Sequence, residues 1–322
     1  MEVSVIIPVY NTEKFIAKCL DSVLSQTFQD FEIIIVNDCT PDNAMQIAQS
    51  YADKDSRIRI VNHETNRGPM VARRSGYNTA SGNYIIFLDS DDTLPKTAIE
   101  ILHNNATFIN ADIIVGGMGI VDCDNKLIRP WLPKVSGTFN SREGFELLFE
   151  GKMTHNLCAA IFRKELFLHD FYTIENQTNG EDLILFYQLL SKTKKLGVIQ
   201  KRVYNYLQNE SSSTHTAMTD RKLDQFFNIH TFIYNFLTDL GIPQERIVKV
   251  IVPSLFKWLY YPYGRKLIKQ LPKEIQEAFK FKNIYHQFTF VRATCAFLMY
   301  KMPFTIPAIV GVQKTVRKFK TH

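Results

Sequence analysis

The first 115 residues alternate between short apolar runs and longer segments whose apolar residues recur at helical spacing. The apolar runs lie at residues 3–9, 31–36, 57–61, 84–88 and 112–115. Short, β-branched apolar runs indicate strands buried on both faces, and the segments between them predict helices. Strand and helix in alternation predict βαβ units. We therefore expect an α/β fold with a mainly parallel sheet and helices on both faces.

The pattern becomes less regular after residue 115 and then mainly helical. Asn140 and Glu143 have the spacing of a capping box, which predicts a helix to Phe149. Further expected elements are strands at 159–162, 196–199 and 203–207, and a helix at 183–190. From Asp220 onward the spacing is helical and aromatic residues are frequent, so we predict a C-terminal helical extension.

Three polar loops follow predicted strands and are candidates for a ligand site. They are Pro8-Val9-Tyr10-Asn11, Asn37-Asp38-Cys39-Thr40 and Asp89-Ser90-Asp91-Asp92. Ligands of open parallel sheets bind outside the carboxyl ends of the strands, at a switch in strand order. The three loops can therefore converge on one crevice.

The third loop places three carboxylates within four positions. Like charges this close raise one another's pKa unless a cation lies among them. Oxygen ligands in a short loop suit Mg²⁺ or Mn²⁺, which share their coordination shell with substrate phosphates. The alternative is a solvated turn in which an Asp caps the following helix.

Other charged residues also have two interpretations. Asp38 can form an Asx turn or bind a ligand. Arg67, Arg73 and Arg74 can be solvated or can bind diphosphate oxygens. The pair Glu181-Asp182, at the start of a predicted helix, can complement the helix dipole or supply a general base. No GxxxxGK[ST] motif is present and no GxGxxG follows the first strand, which argues against P-loop and dinucleotide sites.

Four segments occur in an order that resembles the family 2 glycosyltransferases with the GT-A fold, of the kind that builds bacterial polysaccharides. The segments are VSVIIPVYN, FEIIIVNDCTPDN, NRGPMVARRSGYNTASGNYIIFLDSDD and NGEDL. The resemblance implies a nucleotide-sugar donor, with a UDP-sugar favoured, a Mn²⁺ or Mg²⁺ ion and an inverting hexosyl transfer to a glycan or polyprenyl-linked acceptor. It divides the chain into a GT-A domain at 1–218 and a helical, basic region at 219–322. Within the domain, residues 1–115 would bind the nucleotide and residues 116–218 would lie on the acceptor side.

The resemblance also implies roles for individual residues. Asp182 would be the general base, with Glu181 beside it. Asp91 would ligate the metal together with Asp89, and Asp92 would flank the site. The nucleotide sugar would contact Pro8, Val9, Tyr10, Asn11, Asp38, Arg73, Asp89 and Ser90. Two departures from the family pattern are Cys39 in place of a glycine and Arg74 in place of an asparagine. His155, Asn156 and His215 are further candidates near the acceptor or the diphosphate.

Charge and cysteine content bear on partners and location. The formal net charge is +6, and no Asp or Glu follows Glu277. A basic, aromatic C-terminal region fits a surface helix on an anionic membrane, or alternatively a helical packing domain with a solvated basic face. No uninterrupted stretch of about 20 apolar residues predicts a membrane span. Without a recognition motif, nucleic acid is not expected. Five scattered cysteines favour a cytoplasmic protein, with peripheral contact at the inner face of the plasma membrane.

Two other functions compete with glycosyl transfer. A sugar-nucleotide pyrophosphorylase would require a Gly-rich phosphate loop with Arg and Lys after the first strand, and residues 8–11 offer none. A non-catalytic nucleotide-sugar-binding scaffold would not need the base Asp182. The sequence therefore favours the transferase.

Overall fold

The structure, a computed structural model, describes residues 1–208, 217–280, 283, 290–303, 306 and 309. The chain divides into two compact units, Met1–Thr216 and Ala217–His322. All of the loops singled out above lie in the first unit.

The described residues of the first unit form a nine-stranded mixed sheet in the order β3-β2-β1-β4-β8-β5-β9-β7, with β6 paired to β5. The strands β1, β2, β3 and β4 are parallel, β8 is antiparallel to both neighbours, and β5 is parallel to β9. The bounds are β1 Val3–Val9, β2 Phe31–Asn37, β3 Ile58–Asn62, β4 Tyr84–Phe87, β5 Ile113–Val121, β6 Leu127–Trp131, β7 Gly137–Phe139, β8 Ala160–Arg163 and β9 Leu196–Leu207.

Helices connect these strands and cover the sheet. They are α1 Ile16–Leu24, α2 Ala44–Ala52, α3 Pro69–Thr79, α4 Ala98–Phe108, α5 Ser141–Phe149 and α6 Glu181–Lys192, with a 3₁₀ segment at Lys164–Leu168. Pro69 begins α3, a position at which its missing N–H costs no hydrogen bond. The capping box predicted at Asn140 and Glu143 is present, with both hydrogen bonds formed. The α/β sheet expected from the sequence is confirmed.

Two details of the sheet differ from the sequence prediction. The strands expected at 196–199 and 203–207 are one twelve-residue strand, β9, whose polar middle is exposed. The strands β6 and β7 were not expected. Residues of β6 are largely exposed, and β7 has only three residues, so neither carries an apolar pattern that indicates a buried strand.

The second unit is helical, as the sequence predicted. Its elements are α7 Asp220–Asp239, α8 Gln244–Ile251, a 3₁₀ segment Val252–Tyr260, α9 Pro262–Ile268, α10 Lys273–Glu277 and α11 Phe290–Lys301. Trp258 and Leu259 are buried, while Lys257, Lys266 and Lys269 are exposed. This stretch thus buries Trp258 and Leu259 and presents its lysines to solvent, together with the exposed Tyr261. Among the described residues, no helix has the length and apolar content needed to cross a membrane.

Candidate active site

The strands β2, β1 and β4 are neighbours and run parallel, so their carboxyl ends lie at one edge of the sheet. The loops after β1 and β2 touch there. The Asn11 N–H donates to Thr40 Oγ1 at 2.7 Å, and the Asp38 N–H donates to the Val9 carbonyl at 3.1 Å. Tyr10 between them is 49% exposed. Cys39 has a φ of 57°, the left-handed conformation that favours glycine, so this departure from the family pattern keeps the glycine's backbone shape.

The Asp38 carboxylate is buried and organises the loop between β3 and α3. Oδ1 accepts from the Arg67 N–H at 2.9 Å, and Oδ2 accepts from the Gly68 N–H at 2.8 Å. His63 Nδ1 lies 2.7 Å from Oδ1, and its Nε2 lies 2.8 Å from Ser75 Oγ. His63 was not predicted as a site residue from the sequence. Its position directly after β3 was the signal, because that strand ends at the same edge.

The acidic loop after β4 contains one carboxylate that is fixed inside the protein. Asp92 is 2% exposed and accepts hydrogen bonds from the Tyr204 hydroxyl and from the Leu207 N–H, the latter at 2.7 Å. Burial, followed by the charges of Asp91 and Asp89, raises the pKa of Asp92 well above its ordinary value. Asp92 therefore ties the loop to β9, and sequence reasoning did not foresee its partner Tyr204.

Asp89 and Asp91 are the remaining candidates for a metal. The Asp89 side chain is 34% exposed and Asp91 is half-buried, whereas Ser90 is buried. Among the described residues, no group of three or more His, Cys, Asp or Glu side chains is placed to hold a metal ion. Two carboxylates at a partly open loop fit Mg²⁺ or Mn²⁺, since these ions commonly take the rest of their shell from water and substrate phosphates.

Arg73 on α3 lies between the acidic loop and the start of α6. Its side chain is only 3% exposed. Nη2 donates to Asp89 Oδ1 at 2.8 Å, and Nη1 donates to Glu181 Oε1 at 3.2 Å and lies 3.0 Å from Asp182 Oδ1. One guanidinium thus brings together the carboxylate of Asp89 and those of the adjacent pair Glu181-Asp182, which is distant in sequence. The guanidinium of Arg73 is therefore a cation, supplied by the protein itself, beside the clustered carboxylates.

Asp182 lies in the first turn of α6, which follows Gly180 in a left-handed conformation, φ 73°. Its side chain is 28% exposed, but Oδ1 is buried and makes no directional hydrogen bond with the described residues. Burial raises the pKa of Asp182 to about 7, with Arg73 opposing the rise and Glu181 and Asp89 adding to it. A carboxylate with a pKa near neutrality and an accessible edge is suited to general base catalysis.

The other candidates lie around this centre with fewer contacts. Arg67 pairs with Glu175 at 2.6 Å and Arg74 lies 3.8 Å from Asp170, in each case between well-exposed side chains. Asn156 accepts from the Cys158 N–H at 2.7 Å and so shapes its own turn. His155 is exposed, and His215 lies outside the described residues.

Comparisons with known proteins identify the family of the chain. The sequence model of Glycosyl transferase family 2 matches residues 4–168, just over half of the chain. The uncharacterized glycosyltransferase EpsJ of Bacillus subtilis is 30% identical over 250 residues, which are 76% of this chain and 72% of EpsJ. The cholesterol galactosyltransferase of Borreliella burgdorferi is 28% identical over 312 residues, 88% of this chain and 86% of that protein.

Solved structures show the same fold. The S. aureus protein TarS, residues 1–349, in complex with UDP-GlcNAc superposes with a TM-score of 0.67 at 21% identity, over 93% of this chain and 89% of that one. The family model and the relatives identify a glycosyltransferase, and the solved structure shows that its sheet is GT-A-like. The chain belongs to glycosyl transferase family 2.

Proposed function

We propose that the chain is an inverting glycosyltransferase that moves a hexose from a nucleoside-diphosphate sugar to a hydroxyl of a glycan or lipid-linked acceptor. A UDP-sugar is the favoured donor, because TarS, which shares the fold, has been solved with UDP-GlcNAc and with UDP. Synthesis of a cell-surface polysaccharide is the expected setting. The observation that carries the proposal is that Asp89, at the carboxyl end of β4, and Asp182 both pair with Arg73.

The loops at this edge would bind the donor. The exposed loop of Pro8, Val9, Tyr10 and Asn11 would contact the base, and the buried Asp38 would fix the facing loop at Arg67 and Gly68. Asp91 and Asp89 would hold the metal. A divalent ion there would stabilise the negative charge of the leaving nucleoside diphosphate.

Asp182 would act on the acceptor. Its carboxylate takes the proton of the acceptor hydroxyl, whose oxygen forms a bond to the anomeric carbon. The bond from that carbon to the diphosphate oxygen breaks in the same displacement and leaves the nucleoside diphosphate. Entry opposite the leaving group inverts the configuration. The raised pKa supports this role, because a base with a pKa near the working pH transfers protons efficiently.

Nucleoside diphosphate release from a donor panel tests the proposal. Wild-type protein would be incubated with Mn²⁺ and UDP-glucose, UDP-galactose, UDP-GlcNAc or GDP-mannose, with and without EDTA. We expect UDP release from one or more UDP-sugars, and its loss in EDTA. Release that persists in EDTA would contradict the metal role. Tight UDP binding without release in the presence of candidate acceptors would favour the scaffold function instead.

We also propose peripheral membrane contact through the basic residues of 219–322. The support is charge alone: Lys257, Lys266 and Lys269 are exposed, while Trp258 and Leu259 are buried and therefore unavailable for insertion. The contact would then be electrostatic and sensitive to salt. Co-sedimentation with vesicles rich in phosphatidylglycerol tests it. We expect binding at low ionic strength, and its absence there would contradict the contact.

A further inference from the structure

We infer that Arg73 is a positioning residue, which holds the base Asp182 against the donor-binding end of β4 and does not bind the donor phosphates. The inference rests on the proposed function and deepens it. It also departs from the role that the sequence resemblance implies for this arginine.

The contacts and the burial of Arg73 argue against a role in binding a phosphate. Nη2 is bonded to Asp89 at 2.8 Å, and Nη1 is shared between Glu181 at 3.2 Å and Asp182 at 3.0 Å. Nε is buried and, among the described residues, has no acceptor. With 3% of the side chain exposed, a phosphate would have to displace a carboxylate from a buried ion pair. Breaking a buried ion pair in this way leaves an uncompensated charge and is unfavourable.

The same contacts explain what Arg73 does for Asp182. The helix α6 has no side-chain cap at Gly180, so its first turn is not fixed in that way. Glu181 is buried and also faces Arg73, so it acts as a second attachment of the first turn. Arg73 itself is carried by α3, and α3 packs on β1 and β2, whose ends form the base pocket. Arg73 thereby links the base to the donor loops through one buried side chain.

Charge makes the arrangement specific. Three carboxylates face one guanidinium, and Cys158 is the further titratable group near it. Without the cation, Asp182 would face Glu181 and Asp89 alone. A neutral residue at position 73 would therefore disturb both the location and the ionisation of the base. The loops at residues 8–11 and 37–40 would keep their hydrogen bonds, which do not involve the Arg73 side chain.

The test compares Arg73→Met and Arg73→Lys with a control, Arg163→Met. Arg163 is a half-buried arginine paired with Asp112 at 3.3 Å, and Asp112 precedes β5 and so lies at the opposite edge of the sheet. For each protein, UDP affinity with Mn²⁺ would be measured by calorimetry, and UDP release from the best UDP-sugar would be measured across pH. Thermal melts would report folding.

We expect Arg73→Met to lower the rate of UDP release on the order of 100-fold, as misplacement of a reacting group does. Its Kd for UDP should stay within about threefold of the wild type, a change of less than the roughly 1.4 kcal/mol that corresponds to tenfold. The acidic limb of its pH–rate profile should move to higher pH, because loss of a neighbouring cation raises the pKa of Asp182. Arg73→Lys should recover about tenfold in rate, because it restores the charge but not the planar fork.

The opposite pattern would overturn the inference. A Kd for UDP weakened tenfold or more by Arg73→Met would make Arg73 a phosphate ligand. A rate loss matched by Arg163→Met, with no movement of the pH limb, would make its role purely structural. If Arg73→Met does not fold, Arg73→Lys decides by the same two readouts. A wild type that neither binds UDP nor releases it would contradict the proposed function as well, so the two failures are distinguishable.

Discussion

Asp92 and Asp182 are both acidic residues with a raised pKa at one site, but the protein holds them in opposite ways. The loop of Asp92 is bonded to β9 through a side chain and through the backbone. The Tyr204 hydroxyl and the Leu207 N–H donate to the Asp92 carboxylate. The neighbouring Thr93 exchanges backbone hydrogen bonds with Asn205 at 3.2 and 2.9 Å. The Asp182 carboxylate, in contrast, is paired with one buried side chain, Arg73. The loop after β4 is thus a fixed support, whereas the carboxylates in the first turn of α6 are held by charge and the rest of that helix is anchored by buried, mostly apolar residues.

The difference shows why a raised pKa does not identify a base. Burial is the largest cause of the shift for both residues. Asp92 is 2% exposed and both of its oxygens are bonded, so no acceptor hydroxyl can reach it. The Asp182 side chain is 28% exposed and has a cation beside it. The exposed part of its side chain and the neighbouring Arg73, rather than the pKa alone, identify Asp182 as the candidate general base.

Among the variants that test this difference between Asp92 and Asp182, Asp182→Asn is expected to have the largest effect on the rate of sugar transfer. Loss of a general base should lower the rate of sugar transfer by about 10²–10⁴-fold. UDP affinity should be unchanged, because the donor loops lie on other elements. UDP-release kinetics and calorimetry would measure the two quantities. Transfer at the wild-type rate would show that the base is another residue.

A second test concerns Asp91→Asn in the fixed loop. We expect the affinity for UDP in Mn²⁺ to fall by about tenfold or more, since a carboxylate is the ligand type that these ions prefer. Affinity measured in EDTA should be the same for variant and wild type. Glu64→Gln, at an exposed position, serves as the charge-matched control. Equal Mn²⁺ dependence in Asp91→Asn and wild type would contradict the assignment.

Tyr204→Phe tests how much the hydrogen bond to Asp92 contributes to the stability of the protein. It removes the hydroxyl that donates to Asp92, which leaves a buried acceptor unpaired at a cost of about 1–3 kcal/mol in the free energy of unfolding. Tyr187→Phe is the matched control: Tyr187 is also buried, and no hydrogen bond of its hydroxyl to the described residues is seen. Urea denaturation would measure both variants. Equal stability of the two would show that the bond to Asp92 contributes nothing.

The smallest effect is expected from Asp92→Asn, and it concerns how the free energy of unfolding changes with pH. The raised pKa means that folded Asp92 keeps a proton that the unfolded chain releases above a pKa of about 3.9, so wild-type stability falls as pH rises from that value toward the folded pKa. The substituted amide is neutral at every pH and still offers an oxygen to the Leu207 N–H. We therefore expect the variant to lose less stability than wild type as pH rises from about 5 to about 8. Parallel curves would contradict a raised pKa at Asp92.

Much of this site was predictable because local patterns encode it. Continuous apolar runs indicated β1, β2 and β4, and parallel strands bring the loops at Asn11, Asp38 and Asp89 to one edge. The partners of the charges were not predictable in the same way. Tyr204 reaches Asp92 from 112 residues away, and Arg73 reaches Glu181 from 108 residues away. Such pairs depend on how β9 and α6 pack, which spacing along the chain does not encode.

The central claim is that Asp182 receives the acceptor's proton at a site where burial raises its pKa to about 7. The most direct measurement is the rate of UDP release against pH, from about 5 to about 9, at saturating Mn²⁺ and UDP-sugar. A base must be deprotonated to act, so the wild-type rate should rise as pH increases through about 7 and then level off, whereas Asp182→Asn should stay low at every pH. A wild-type rate that is flat or falls over this range, or an Asp182→Asn profile that rises with it, would contradict the claim.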